Sequence, residues 1–193
     1  PASYPRAGER DADAIVREVR AVRTAAGLFD ASPLGKIEVE GPDAARFLDA
    51  FYPNNVRTLE IGRTRYGLML NEHGVIVDDG TIARLAPDHY VLTTTSGGAA
   101  RIAAWLDEWR QCEWPELDVV VTPVTTQWAT LALSGPNART ILARLHSDVD
   151  LSPDAFPHLH VRTGTLAGVP ARVYRVSFSG ELGYEINVPA RYG

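Results

Sequence analysis

A junction that occurs twice constrains this chain more than any other feature. Gly41-Pro42-Asp43-Ala44-Ala45-Arg46-Phe47-Leu48 resembles Gly135-Pro136-Asn137-Ala138-Arg139-Thr140-Ile141-Leu142, 94 residues later. Each copy follows a strand-like run and opens a short helix. Proline suits the first helical position, where its missing N–H would have no intrahelical partner. Repeats that stack into solenoids have periods of roughly 20–50 residues, so this spacing fits a duplicated α+β module. The competing reading is a strand–Gly-Pro–helix junction that many folds share. A chain of 193 residues has room for one large domain or two small ones. At that size it buries roughly 70% of its unfolded surface without a disulfide or metal staple.

The flanking segments follow the same grammar. Residues 11–27 carry Ile15, Val16, Val19, Val22 and Ala26 at helical spacing, with Asp11 or Asp13 to cap the start and Gly27 to end it. Leu34–Glu40 alternates apolar and polar residues and leads as a strand into the first Gly-Pro. Residues 63–95 read as an antiparallel meander, with Asn71-Glu72-His73-Gly74 as a hairpin loop and His89–Thr95 as a β-branched strand. A helix is predicted over 99–111, strands over 117–124 and 128–133, and a helix over 138–145. Residues 146–160 read as loop, followed by strands at 171–178 and 184–188. The predicted class is α+β: two related mixed modules with antiparallel sheets. Residues 1–10 form a leading segment, 11–115 the first module and 116–193 the second.

Charge and composition exclude several functions. There are 19 basic and 24 acidic residues, a net −5, and the only local basic excess is Arg57, Arg63 and Arg65. This supports neither nucleic-acid nor anionic-membrane binding. No apolar stretch reaches the ~20 residues of a membrane helix, and Pro1–Arg6 lacks the apolar run of a secretory signal. The single cysteine, Cys112, cannot form an internal disulfide and reads as an idle thiol, compatible with the expected cytoplasmic location. No phosphate-binding glycine fingerprint is present; Gly97-Gly98 is the nearest approach. His158 and His160 lack a third ligand at metal-site spacing, so no metal is expected.

Two acidic features stand out. In Asp78-Asp79-Gly80 the carboxylates would point to opposite faces if a strand runs through them, leaving one free to act as a base or to stabilise a transient cation. Asp-Asp-Gly is also turn-prone, and both readings stand. In Ser179-Gly180-Glu181-Leu182-Gly183-Tyr184-Glu185, Glu185 lies in a strand whose other face carries Tyr184, Ile186 and Val188. It shares its own face with Gly183 and Asn187, as on a strand with one solvated side.

Several segments in register resemble one family. Asn71-Glu72-His73-Gly74-Val75-Ile76-Val77-Asp78-Asp79 is similar to the Asn-Glu-x-Gly-x-x-x-Asp-Asp segment of the glycine-cleavage T-protein (aminomethyltransferase) family. Phe178–Ile186 resembles its Tyr-Thr-Gly-Glu-x-Gly-x-Glu-Ile segment. Phe29-Asp30-Ala31-Ser32 and both Gly-Pro helix starts fall where the family has similar pieces. Leu34–Ala44, Arg65–Met69, Thr93–Arg101 and Glu113–Leu117 look most like the folate domain that ends the α subunit of sarcosine oxidases.

The resemblance implies a ferredoxin-like type of duplication and a tetrahydrofolate-binding domain. Its task would be to take a methylene unit from an oxidised N-methyl amine and give 5,10-methylenetetrahydrofolate. Asp79 would be catalytic, stabilising cationic character at the folate nitrogens. Glu185 would hold the pterin through paired N–H bonds, Tyr66 would pack on it, and Thr95 would stand where the T-protein has an Asn at the pocket. Asp78 would be a structural partner outside the pocket. Phe178 replaces the family's Tyr. The family's later Arg-bearing helix and carboxy-terminal barrel have no counterpart here, so the chain is expected to be a piece of a longer polypeptide whose second module is truncated. Flavin and NAD would belong to other parts of that polypeptide, and the partners would be a reduced folate and other oxidase subunits. The alternatives are a true aminomethyltransferase and a non-enzymatic folate-binding or docking domain.

Overall fold

The structure, a computed structural model, describes residues 3–193. In chain order its elements are α1 (Asp11–Thr24), β1 (Gly27–Asp30), β2 (Gly35–Glu40), α2 (Ala44–Leu48), β3 (Thr64–Leu70), β4 (Ile76–Ala86) and β5 (His89–Thr94). They continue with α3 (Ala99–Cys112), β6 (Val120–Pro123), β7 (Trp128–Ser134), α4 (Ala138–Leu142), β8 (Val161–Leu166), β9 (Val169–Tyr174) and β10 (Gly183–Pro189). The class is α+β, with two open, five-stranded antiparallel sheets.

The two sheets have one plan. The first runs β3-β4-β5-β2-β6 and the second β8-β9-β10-β7-β1. Matching β2 with β7 also matches α2 with α4, β3–β5 with β8–β10, and β6 with β1. The repeated junction carries the same hydrogen bonds in both. The Gly41 N–H donates to the Asp88 carbonyl just before β5 (2.9 Å), and the Gly135 N–H to the Leu182 carbonyl just before β10 (2.8 Å). The Asp43 N–H donates to the Asp118 carbonyl, two residues ahead of β6, and the Asn137 N–H to the Ala25 carbonyl, two residues ahead of β1. Gly41 and Gly135 adopt φ of +130° and +128°, and a Cβ on either would collide with the carbonyl of Asp118 or Ala25. Positive φ and close backbone approach together make glycine the required residue at both places.

A second repeated pair was not foreseen. The Arg84 guanidinium lies over the Tyr90 ring at 5.4 Å, and that of Arg175 over the Tyr184 ring at 5.5 Å. Tyr90 and Tyr184 occupy matching places on β5 and β10, are 0% and 1% exposed, and are both pushed above the usual tyrosine range, chiefly by burial.

The compact units do not follow the chain-order division into 11–115 and 116–193. One comprises Ser32–Ala129 with Leu159–Val161; the other comprises the stretch ending at Ala31, Thr130–His158 and Arg162–Gly193. The cause is β1, which pairs antiparallel with β7 from Gly27↔Ser134 to Asp30↔Leu131. It carries α1 into the second sheet's unit, where the pair fills the place that α3 and β6 fill in the first. The first unit packs α2 and α3 on its sheet around Ile37, Val39, Phe47, Leu48, Met69, Ile82, Leu92, Ile102 and Leu106. Burying each such side chain contributes about 2 kcal/mol.

Of the two readings of Asp78-Asp79-Gly80, the turn is overturned: β4 is one continuous strand through all three. The reversal falls instead at Asn71–Gly74. There the Asn71 side-chain oxygen accepts from the His73 and Val75 N–H groups (3.0 and 2.9 Å), and Gly74 takes φ +74°.

Candidate functional site

Antiparallel register places the candidate residues face by face. Leu68 stands opposite Asp79 and Tyr66 opposite Thr81. Directly paired residues project to the same side with Cβ atoms roughly 4.5–5.5 Å apart, so Tyr66, Leu68, Asp79 and Thr81 share one face of the β3–β4 pair. On that face Tyr66 is 45% and Leu68 42% exposed. The Asp79 side chain is exposed, and among the described residues it makes no ion pair or side-chain hydrogen bond. A bare carboxylate beside an accessible aromatic ring and an accessible aliphatic chain can accept N–H donors, or face a cation, while the flat part of a ligand lies on carbon. Leu68 is the member that the sequence reading missed. Its signal was there, since it stands two residues after Tyr66 on a strand.

The opposite face is closed. Asp78 pairs with Met69, and its side chain is 1% exposed. Gly67 on the same face lies so close to the Tyr52 ring that a Cβ would stand 2.7 Å from it. Tyr52 is buried, and burial together with the Asp78 charge pushes its phenol far above the usual range. Thr95 is joined to Asp78 and not to Asp79. Its N–H and hydroxyl donate to the two Asp78 oxygens at 2.9 and 3.0 Å, and the hydroxyl in turn accepts the Gly98 N–H at 3.1 Å. The Thr95 hydroxyl is therefore occupied twice within the fold.

Glu185 lies in the other unit, on β10, opposite Tyr174 of β9. β10 is an interior strand, and Tyr184, Ile186, Asn187 and Val188 are all nearly buried. The expected solvated face does not exist: Asn187, which shares that side with Glu185, is buried and accepts the Thr130 hydroxyl at 2.6 Å. Glu185 itself is half-buried.

A groove of about 1010 Å³ in the Ser32–Ala129 unit is walled by Phe51, Trp105, Trp109 and Trp114, with Arg101 at its side. Neither Asp79, Tyr66 nor Thr95 lines it. Its aromatics pack on one another, Phe51 edge-on to Trp105 at 5.1 Å and Trp109 stacked on Trp114 at 5.4 Å, and Trp105 and Trp114 cover the core behind them.

The whole chain, residues 1–193, matches the family described as GCVT N-terminal domain. It is 50% identical over 194 residues to the sarcosine oxidase subunit alpha of Corynebacterium sp. strain U-96, a match covering 100% of this chain and 20% of that one. It is 39% identical over 176 residues to the aminomethyltransferase of Listeria monocytogenes serotype 4a, covering 91% of this chain and 47% of the relative. Among solved structures, the glycine cleavage system aminomethyltransferase T of Bartonella henselae superposes with a TM-score of 0.80 at 30% identity, over 93% of this chain and 46% of that one. The chain thus spans about a fifth to a half of the length of these three relatives.

Proposed function

The chain belongs to the GCVT N-terminal domain family, and from that premise we propose that it is the reduced-folate-binding part of an enzyme like the sarcosine oxidase α subunit. Its task is to receive a one-carbon unit from an oxidised N-methyl amine. The observation that carries this reading is the face of β3 and β4, where the unpaired Asp79 carboxylate stands opposite exposed Leu68 and diagonal to exposed Tyr66. Those residues fit tetrahydrofolate, a flat, N–H-rich heterocycle; the role proposed for Glu185, half-buried on β10, comes from the family resemblance.

When bound, tetrahydrofolate supplies two nucleophilic nitrogens that take up the carbon. Asp79 holds a fixed negative charge where positive charge develops, which lowers the barrier without reorganisation of water. Tyr66 and Leu68 give the ring system an apolar floor, excluding water from one side. By the family resemblance, the Glu185 carboxylate would hold adjacent N–H groups of the pterin, an arrangement that orients as well as binds. Thr95, committed to Asp78, supports this face from behind. The other subunits of a hetero-oligomeric oxidase would be its partners, in keeping with the Corynebacterium relative's name as a subunit.

Isothermal titration of the full-length protein with tetrahydrofolate tests the reading. Asp79→Asn is expected to slow transfer by roughly 100-fold while leaving binding nearly intact, and Glu185→Ala to weaken binding by roughly 10-fold or more. Absence of both heat and fluorescence change with the unsubstituted protein would rule the reading out. The 39% identity to an aminomethyltransferase favours a second reading, that the carbon comes as an aminomethyl group; activity with an aminomethyl-lipoyl carrier would select it.

A further inference from the structure

The β4–β5 ladder ends in side chains. Backbone pairing between the two strands reaches Ile82↔Leu92 and stops. Beyond it, successive N–H groups on the β5 side of β4 find side-chain acceptors. Thr81 donates to the Thr93 hydroxyl at 2.8 Å, and Asp79 donates to the Asp78 carboxylate at 2.8 Å. The Thr95 N–H, just past the end of β5, donates to the same Asp78 oxygen at 2.9 Å. One carboxylate oxygen therefore joins the backbone that carries Asp79 to the turn that leaves β5.

The other oxygen takes the Thr95 hydroxyl at 3.0 Å and faces Arg101 Nη2 at 3.5 Å; the same Nη2 donates to the Val77 carbonyl at 2.8 Å. Room for this cluster exists because residue 98 is glycine: a Cβ there would overlap Asp78 Oδ2. Burying a carboxylate is costly unless donors surround it, and here they come from β4, the Thr95 turn and α3. A continued ladder would have satisfied the Asp79 and Thr95 N–H groups without a buried charge. What the cluster adds is a rigid mount for the one strand segment whose opposite face bears Asp79.

We infer that Asp78 is a positioning residue for Asp79, its buried carboxylate setting the backbone from which the Asp79 side chain projects. This rests on the folate reading of the same face. A displacement of about 1 Å in a reacting group can cost on the order of 100-fold in rate. The assignment therefore predicts loss of kcat with little change in folate affinity.

The test is a double-mutant cycle in the full-length protein, followed by one-carbon transfer to tetrahydrofolate and by titration. Asp78→Asn, which keeps shape and one acceptor, is expected to lower kcat roughly 10-fold or more with Kd unchanged within about 2-fold. In an Asp79→Asn background the same change is expected to cost nothing further. Thr95→Val, which removes the hydroxyl and leaves Asp78 in place, should act in the same direction and serves if Asp78→Asn does not fold. A readout independent of folate is exchange of the Asp79 and Thr95 amide protons, expected to quicken in both variants.

Full additivity with Asp79→Asn, a change in Kd with kcat kept, or unchanged amide exchange would each overturn the assignment. If Asp79→Asn itself leaves transfer unchanged, the folate reading fails first. If Asp79→Asn slows transfer and Asp78→Asn does not, the positioning role alone fails.

Discussion

Asp78 and Asp79 are neighbours with opposite fates, one 1% exposed at its side chain and tied to three elements, the other open and unpaired. Alternation along a strand makes that split legible, as it does the shared face of Tyr66 and Asp79. The hand that Thr95 gives to Asp78 was not legible, because it joins residues 17 apart at a place where the ladder has already ended and no periodicity guides the eye. Tyr90 and Tyr184 were equally hidden, since a tyrosine in a strand looks the same whether its hydroxyl is wet or buried. Among the described residues the buried Tyr90 hydroxyl has no hydrogen-bond partner, so its desolvation is uncompensated. Tyr90→Phe is therefore expected to be neutral or to stabilise by about 1 kcal/mol, whereas Tyr90→Ala, which empties the site under Arg84, costs about 3–5 kcal/mol. Urea unfolding with matched slopes measures both, and a Phe variant weaker by about 1 kcal/mol or more would show that the hydroxyl is bonded in solution.

Elements with strong periodicity lie within a few residues of their predicted spans: α1, β2, α3 and β7. The two strands missed outright, β1 and β8, are the two edges of the second sheet. An edge strand is bonded on one side only, and β1, four residues with three of them exposed, leaves no alternation to detect. Periodicity also says that a helix forms without saying what its apolar side meets. In α1 only Ala14 is fully buried, while Ile15, Val16 and Val19 are 42–57% exposed. Polar contacts tie the preceding segment to this helix. Arg17 donates to both Glu9 oxygens from Nε and Nη2, each at 2.9 Å, and Nη2 also reaches the Tyr4 carbonyl at 2.9 Å. The Arg17 hydrogen bonds, with that from the Arg6 N–H, hold the Glu9 carboxyl down to about 2, against an ordinary 4.5. A lowered carboxyl pKa means a contribution fully present above about 4.5 that is lost as the pH falls through about 2. The Glu9 carboxyl resonance should accordingly titrate near 2, and Arg17→Met should raise its midpoint toward 4.5, with the Arg6 N–H still holding it below that value. A midpoint already at 4.5 in the unsubstituted protein would mean that the pair does not persist in solution.

At the scale of the whole molecule, duplication was legible from two Gly-Pro junctions, and its consequence for the chain's path was not. A repeat in sequence suggests one module after another. The hydrogen bonds at Gly41 and Gly135 instead show the same module closed in two ways, with the strand that completes the sheet coming after the core in one copy and before it in the other. The local code is identical, because Asp118 and Ala25 present the same carbonyl to the same helix start, while nothing in a linear pattern states which α–β pair docks where. The stretch that ends at Ala31 on this account supplies an integral edge of the second sheet, since β1 is the outer partner of β7 over four residue pairs. Removing residues 1–31 should bare the β7 edge and take away the carbonyl that receives the Asn137 N–H, so that the helix start at Gly135 loses its anchor. Hydrogen exchange then has a clear expectation: amides of Thr130–Ser134 and α4 lose protection by roughly 100-fold or more, while those of β2 and β5, whose sheet is completed by β6, keep theirs. Retained protection in β7 would show that the second sheet closes without β1. Equal loss in both sheets would show that the two units unfold as one and that the division by contact is not a division in stability.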